Sequence, residues 1–318
     1  MVLRKWRIQG KYNLVVVSLF TCGERSVMMG KIMNIAMSGA TGFVGGHLTR
    51  AFNGKGWKVI PLMRDDFRET EMLLKKIAEA DVVVNLAGAS IAARWTEEYK
   101  KVMYSSRIET TKKIVDAMAR GGKKPALFIS TSAVGIYDSR GIHTEANARY
   151  ADNFLGKLAF DWEQAALKAS DTVRTVIFRF GIVLGPDGGA LQKMLIPFKM
   201  GLGGTIGDGR QAFSWVHVED LVRAYFAVIE DKDFEGTYNL TAPNPTTNKG
   251  LTRALAHALH KPAVMRIPFF VLKLQLGEGA NVLLEGESVL PSRLLEKGFT
   301  FRFTDIEKAI EDLVRGGR

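Results

Sequence analysis

Apolar runs of strand length recur along the chain at Met33–Gly39 (MNIAMSG), Trp57–Met63 (WKVIPLM), Asp81–Gly88 (DVVVNLAG), Ala126–Ser132 (ALFISTS) and Thr175–Gly181 (TVIFRFG). Their hydrophobic residues are continuous and do not alternate with polar ones. That pattern predicts strands buried on both faces, as in a parallel sheet with helices on each side. Between the runs, apolar residues return at helical spacing over about Phe43–Asn53, Glu71–Glu79, Glu97–Arg120 and Asn153–Ala169. The repeated strand–helix rhythm predicts an α/β, Rossmann-type doubly wound parallel sheet, whose ligands bind beyond the carboxyl ends of the strands. Only Arg64–Ala80 separates the second run from the third, too short for a further strand and helix, so one strand of the usual pattern is expected to be missing there.

After Gly181 the texture changes. The glycine-rich LGPDGGA and GLGGTIGDGRQ read as substrate-side loops over residues 186–215, and a helix follows from about Glu219 to Glu230. The stretch TAPNPTTN (Thr241–Asn248) precedes two amphipathic helices and the strand-like FTFRF (Phe299–Phe303). The expected organisation is a leader over residues 1–32, a nucleotide-binding domain over 33–240 and a small C-terminal substrate-side lobe over 241–318.

Composition narrows the class. At 318 residues, 47% hydrophobic and 24% charged, the chain has the make-up of a folded globular protein. Its single cysteine, Cys22, excludes an internal disulfide framework, and no Cys/His cluster has zinc-ligand spacing. These features fit a reducing, cytoplasmic setting. Of the net charge of +11, +5 falls in Met1–Lys31, where six Lys and Arg face one Glu. The remaining excess suits an anionic small molecule, and without basic stripes interleaved with aromatics it argues against nucleic acid. In the leader, LVVVSLF (Leu14–Phe20) is too short to span a bilayer and no small-x-small cleavage pattern follows it, which argues against a membrane protein. A start at Met28, Met29 or Met33 is the favoured explanation of the leader, over a disordered tail or a weak anchor.

Gly39, Gly42 and Gly45 stand at G-x-x-G-x-x-G spacing directly after the first strand and directly before a helical pattern. That context fits a phosphate cradle: a tight turn, a close backbone approach to a pyrophosphate, and free N–H groups at a helix start. Thr41, Phe43 and Val44 share the cradle. Where NAD users carry an acidic residue at the end of the second strand, this chain has Met63 followed by Arg64. A guanidinium suits a ribose 2′-phosphate, so the cofactor expected is NADP, although Asp65 and Asp66 follow closely enough to compete for it.

With GATGFVGG, NLAG, STSA, RFGIVLGP and SWVHVEDLVRA, the chain resembles the extended short-chain dehydrogenase/reductases. More narrowly, RWTEEYK, SRIETT, GLGGTIGDGRQAFSWVH, TAPNPTTN and VLPSRLLEKGFTFRFTDIEKAI make it similar to their atypical branch, the epimerase-family proteins of the SDR39U type. The resemblance implies a nucleotide site lined by Leu86, Ala87 and Gly88, with Arg107 at a phosphate or ribose and Val183 beside the nicotinamide.

In the wider superfamily a tyrosine transfers the proton, a lysine four residues later lowers its pKa, and a strand-end serine orients the substrate. Ser132 fits the serine. None of the seven tyrosines has a lysine four residues on, and Asn153 stands four before Lys157. Tyr137 is the best remaining phenol, while Lys157, Asp161 and His217 are weaker acid–base candidates, and Arg210 and Lys199 are cations available to an anionic group. Asp161 and Glu163 read as the polar side of a helix that buries Leu158 and Trp162. The expectation is an NADP-dependent oxidoreductase or epimerase-like enzyme acting on a small polar or sugar-like substrate, as a monomer or homodimer. The alternative is a non-catalytic NADP-binding sensor or scaffold.

Overall fold

The computed structural model describes residues 32–315; the expectation for the leader, and Cys22 with it, lies outside them. The apolar runs become β1 (Asn34–Ser38), β2 (Lys58–Leu62), β3 (Val82–Asn85), β4 (Leu127–Ala133), β6 (Arg174–Phe180) and, beyond the five expected, β11 (Gly236–Leu240). They form one sheet in the order β11-β6-β4-β3-β1-β2, with every neighbouring pair parallel. Four short pairs complete the strands: β5 (Ile142–His143) with β14 (Ser288–Val289), β7 (Ile182–Gly185) with β10 (Trp215–His217), β8 (Gly204–Ile206) with β13 (Met265–Ile267), and β9 (Ala212–Phe213) with β12 (Thr246–Thr247).

The helices are α1 (Phe43–Gly54), α2 (Thr70–Ala78), α3 (Glu97–Ser105), α4 (Ile108–Arg120), α5 (Phe154–Leu167), α6 (Gly189–Lys199), α7 (Val218–Glu230), α8 (Asn248–Leu259), α9 (Phe269–Leu276), α10 (Asn281–Leu284), α11 (Ser292–Glu296) and α12 (Ile306–Arg315). Alternate strand residues enter different cores, as the pleat requires. Ile35, Met37, Val82, Val84 and Phe178 pack with Leu48 and Phe52 of α1 and Leu221 and Tyr225 of α7. Ala36, Val83, Phe128 and Ile177 pack on the other face with Leu73, Ile77, Ile114, Met118 and Ala166 of α2, α4 and α5. This two-sided burial accounts for the continuous apolar runs.

Strand order reverses at β1. The chain leaves β2 on one side of it and re-enters through β3 on the other, which opens a crevice at the carboxyl ends of β1 and β3. Between β2 and β3 there is only α2, so the expected strand is indeed missing and β2 is the sheet edge.

Three local expectations change. The pattern over Glu97–Arg120 is two helices, because Ala89 docks at the junction: its N–H donates to Ser106 Oγ at 3.0 Å and its carbonyl accepts from Arg107 Nη2 at 3.0 Å. Phe299–Phe303 is not a strand. The buried Asp220 carboxylate accepts from the N–H groups of Arg302 and Phe303, both at 2.8 Å, replacing a strand partner. Residues 186–215 are only partly loop, since α6 and the short strands in this stretch share a core with the C-terminal segment, joining Leu191, Leu195, Phe198 and Trp215 to Leu251, Leu255, Phe303 and Ile310.

Candidate functional site

The glycine turn closes the crevice on one side. Gly39 has φ +69°, a left-handed conformation that glycine adopts without strain, and a Cβ there would lie 3.0 Å from the Leu86 carbonyl oxygen. A Cβ on Gly45 would collide with the Gly39 carbonyl, so the helix start can sit this close only with glycine. Helix α1 has no acidic residue in its first turn and no side-chain cap on Gly42, which leaves its N-terminal N–H groups open to an anion.

Ser38 locks the β1 and β3 loops together. Its Oγ accepts from the N–H groups of Leu86 and Ala87 at 3.1 and 3.2 Å and donates to Asn85 Oδ1 at 2.7 Å. Asn85 Nδ2 and Trp162 Nε1 both donate to Thr111 Oγ1, at 2.8 and 2.9 Å. This buried relay runs from the glycine turn to α4 and α5.

Arg107 lies at its rim, against Gly88, where a Cβ would be 2.9 Å from the guanidinium carbon. Its Nη1 and Nη2 donate to the carbonyls of Met103 and Ala89, its guanidinium lies 5.3 Å from the Trp162 ring centre, and no carboxylate pairs with it among the described residues. Burial pulls its pKa down to about 10, so it stays cationic at neutral pH. A half-buried guanidinium without a carboxylate partner beside Gly88 suits an anionic ligand.

At the end of β2, which is in register with β1 (Ser38 beside Leu62), Met63 and Arg64 are exposed. The two following carboxylates are engaged elsewhere. Asp65 pairs with Arg68 at 3.2 Å, while Asp66 accepts from the Met63 N–H at 2.6 Å and from Lys76 at 2.7 Å. Arg64 has no ion pair among the described residues.

Across the crevice, Thr41 is exposed, Val44 is half-buried, and the Phe43 ring lies against the β7–α6 turn, where a Cβ on Gly188 would be 2.6 Å from it. His47 and Arg50 of α1 bind Asp187 of that turn at 2.6 and 3.0 Å. Val183 is half-buried on β7. Of the cofactor residues expected from the sequence, Gly39 lies against Leu86 and Gly88 against Arg107, while Met63 and Arg64 follow the β2 end beside β1.

The residues expected for catalysis behave differently. Ser132 and Arg179 are register partners on β4 and β6. Ser132 Oγ donates to Glu163 Oε1 at 2.6 Å, and Arg179 makes two 2.7 Å bonds to the same carboxylate. Arg179 Nη1 donates to the Tyr137 hydroxyl at 2.7 Å, and that hydroxyl donates to Asn239 Oδ1, also at 2.7 Å. Burial would lower the Arg179 pKa, but the Glu163 hydrogen bonds and charge outweigh it and the net shift is upward. Burial raises the Tyr137 pKa against the opposing Arg179 charge. Ser132 and Tyr137 are both 1% exposed. In this geometry the Ser132 hydroxyl orients Glu163 and is not free to meet a substrate.

Glu163 corrects the sequence reading, since it is buried and ion-paired and not part of a solvated helix face. Arg179, inside an apolar run, was the signal available for it, because a cation in a buried strand requires a partner. Lys157 points away, paired with Asp152 at 2.8 Å and exposed. Asp161 accepts from Tyr104 at 3.2 Å on the outside of α5. Tyr150 precedes α5, is half-exposed, and has its hydroxyl 3.3 Å from Arg179 Nη2. His217 is a structural residue: Nδ1 caps α7 by accepting from the Glu219 N–H at 3.1 Å, and the ring stacks on Phe303 at 3.8 Å. Burial pulls its pKa down to about 4 despite Asp312 and Asp220 nearby. Arg210 and Lys199 are exposed, Arg210 lying 3.8 Å from Asp208.

A parallel sheet with its switch point at a glycine turn, an N–H-open helix start and an appended C-terminal lobe defines a Rossmann-type protein of the short-chain dehydrogenase/reductase class. The sequence profile of the NAD dependent epimerase/dehydratase family matches residues 35–241, and that of a domain of unknown function, DUF1731, matches 267–313. The chain is 38% identical over 299 residues to the epimerase family protein YfhF of Bacillus subtilis, covering 89% of this chain and 98% of that one. It is 36% identical over 303 residues to the chloroplastic epimerase family protein SDR39U1 homolog of Arabidopsis thaliana, covering 89% and 87%. The crystal structure of human epimerase family protein SDR39U1 (isoform 2) with NADPH superposes with a TM-score of 0.83 at 32% identity, covering 89% of this chain and 99% of that one. The UDP-glucose 4-epimerase of Thermus thermophilus, in complex with NAD, shares the fold at 19% identity and a TM-score of 0.72, over 90% of this chain and 100% of that one. The chain belongs to the NAD dependent epimerase/dehydratase family, and within it to the epimerase-family proteins of the SDR39U type.

Proposed function

We propose that the chain binds NADP(H) in the crevice between β1 and β3 and acts as an oxidoreductase or epimerase-like enzyme on a small polar or sugar-like substrate. The observation that carries this reading is Arg64, at the end of β2 and free of ion pairs although two carboxylates follow it. A free guanidinium there suits a ribose 2′-phosphate, whereas an acidic residue would suit the unphosphorylated ribose. The NADPH in the human relative's crystal structure supports the same choice.

The residues that would hold the cofactor are the turn from Gly39 to Gly45 for the pyrophosphate, Met63 and Arg64 for the adenosine end, Leu86, Ala87 and Gly88 for the wall, Arg107 for an anionic or ribose oxygen, and Val183 for the nicotinamide side. When bound, the cofactor supplies hydride donation or acceptance. The protein's own part is to orient the reactants and exclude water, which is compatible with slow acid–base assistance in the absence of a Tyr-x-x-x-Lys pair. Ser132 and Tyr137 enter this reading as positioning residues, through Glu163 and Arg179. Titration of the purified protein with NADPH and NADH, followed by carbonyl and nucleotide-sugar panels read at the nicotinamide absorbance, tests it. Binding of neither cofactor overturns it.

A second reading, a cofactor sensor or scaffold without turnover, is favoured by one observation: the Ser132 hydroxyl and Tyr137 are both consumed within a sealed network. Tight NADPH binding with no turnover on any panel decides for it.

A further inference from the structure

Two stretches, one at the end of α6 and one in the C-terminal lobe, present large apolar side chains to solvent. Ile196, Met200 and Leu202 lie at the end of α6 and in the turn after it, and Val264, Met265, Phe269, Phe270 and Leu274 lie in or beside β13 and α9. The parallel β8·β13 ribbon makes the stretches neighbours: Met265 pairs with Gly204 and Ile267 with Ile206, and beyond them the Phe269 ring lies against Gly207. Helix α9, FFVLKLQL, is apolar almost all round, a composition that ordinarily means burial, yet Phe270 is 71% and Leu274 77% exposed.

The charge within the two stretches has one sign, and the carboxylates at their ends are engaged elsewhere, Asp187 by His47 and Arg50, Asp208 by Arg210 and Glu278 by Lys100. Residues 188–207 and 261–277 contain Lys193, Lys199, Lys261, Arg266 and Lys273 and no Asp or Glu. All five cations are exposed, and none has an ion-pair partner among the described residues.

We propose that this face docks on an anionic lipid bilayer, with its Phe and Leu side chains entering the headgroup boundary and its cations meeting lipid phosphates. Apolar anchors interleaved with unpaired Lys and Arg are the composition of interfacial membrane segments. A second copy of the chain is a poorer occupant, because a two-fold contact would set five cations against the same five. Among the described residues no helix is long and apolar enough to cross a membrane, so the contact is peripheral. It does not involve the N-terminal apolar run, from which the sequence argued against a membrane protein.

The full-length protein is sedimented with phosphatidylcholine vesicles with and without phosphatidylglycerol. The expected result is co-sedimentation only with the phosphatidylglycerol vesicles and its loss at high salt. Arg266→Ala with Lys273→Ala lowers the partition coefficient by roughly 30-fold, and Phe270→Ser with Leu274→Ser abolishes binding. All four positions are exposed, and the charge pair carries the test if the apolar pair impairs folding. No binding by the unaltered protein overturns the proposal. So does undiminished binding by both variants, or a solution dimer that the Phe270→Ser, Leu274→Ser pair dissociates without vesicles. NADPH affinity, read in parallel, is unchanged in either variant, which separates this surface from the crevice.

Discussion

Arg64 and Arg107, the two cations proposed for the cofactor, sit in opposite environments. Arg64 is exposed, and its use depends on Asp65 and Asp66 having partners of their own in Arg68 and Lys76. Arg64→Ala is expected to weaken NADPH binding by roughly 10- to 150-fold, the worth of one charge-assisted contact, and to leave NADH binding nearly unchanged. Calorimetric titration of both cofactors checks this, and an equal loss for the two would assign Arg64 a role other than the 2′-phosphate. His217 supplies a pH effect. Its folded pKa of about 4 lies below the ordinary 6.5, so the unfolded chain binds the extra proton first. The stability this residue contributes is complete above about pH 6.5 and is lost as pH falls toward 4, by about 2 kcal/mol at pH 5. His217→Asn keeps an N-cap acceptor and removes the titration. Urea unfolding at pH 7.5 and pH 5 should therefore show a smaller acid loss in the variant than in the unaltered protein. Glu287 acts in the opposite sense, since burial raises its carboxyl to about 7 and its contribution is lost as pH rises from its ordinary 4.5 through 7. The comparison is accordingly made between variant and parent at each pH.

At the scale of elements, α5 and β6 are joined by the buried ion pair of Glu163 with Arg179. Glu163→Gln leaves the Arg179 guanidinium without its counterion inside a network that also holds Ser132 and Tyr137. The expected cost is about 3–5 kcal/mol, read as a lower urea midpoint with an unchanged slope. If the variant is as stable as the parent, the network is hydrated and the sealed reading of Tyr137 is wrong. Five of the six strands of the central sheet, and helices α1, α2, α5 and α7 to within two residues, were legible in the sequence because both faces of the sheet are apolar and the period changes cleanly from strand to helix. The α3–α4 break was not legible, since it is made by Ala89, a residue eighteen positions from Arg107 that carries no local helix-stop signal. Glu163 failed for a related reason: its i, i+4 neighbours describe a helix face, and only its pairing with β6 shows which face is inward. The glycine turn was more legible than the chemistry, because glycine spacing is a local backbone constraint whereas the Ser132–Glu163–Arg179–Tyr137 group is assembled from β4, α5, β6 and the loop that carries Tyr137.

Over the whole molecule, the described residues form one compact unit although they contain two bodies of core, one around the sheet and one in the C-terminal lobe. Asp220 at the start of α7 fastens them. Its carboxylate is fully buried and accepts from Arg223 Nη1 and from the N–H groups of Arg302 and Phe303, each at 2.8 Å, and Phe303 stacks on His217. Asp220→Ala leaves two backbone N–H groups without acceptors, at a cost of about 2–5 kcal/mol for the docking of the C-terminal segment. Leu294 and Phe299 of the C-terminal segment also join the sheet core, beside residues of β1 and β3 that strand pairing holds as well. Hydrogen exchange should then divide the molecule: amides of α12 lose protection by roughly 30-fold or more, while those of β1 and β3 change little. A parallel fall at both places would mean that the lobe and the sheet open together, and that the C-terminal segment is part of the main folding unit rather than a separable lobe.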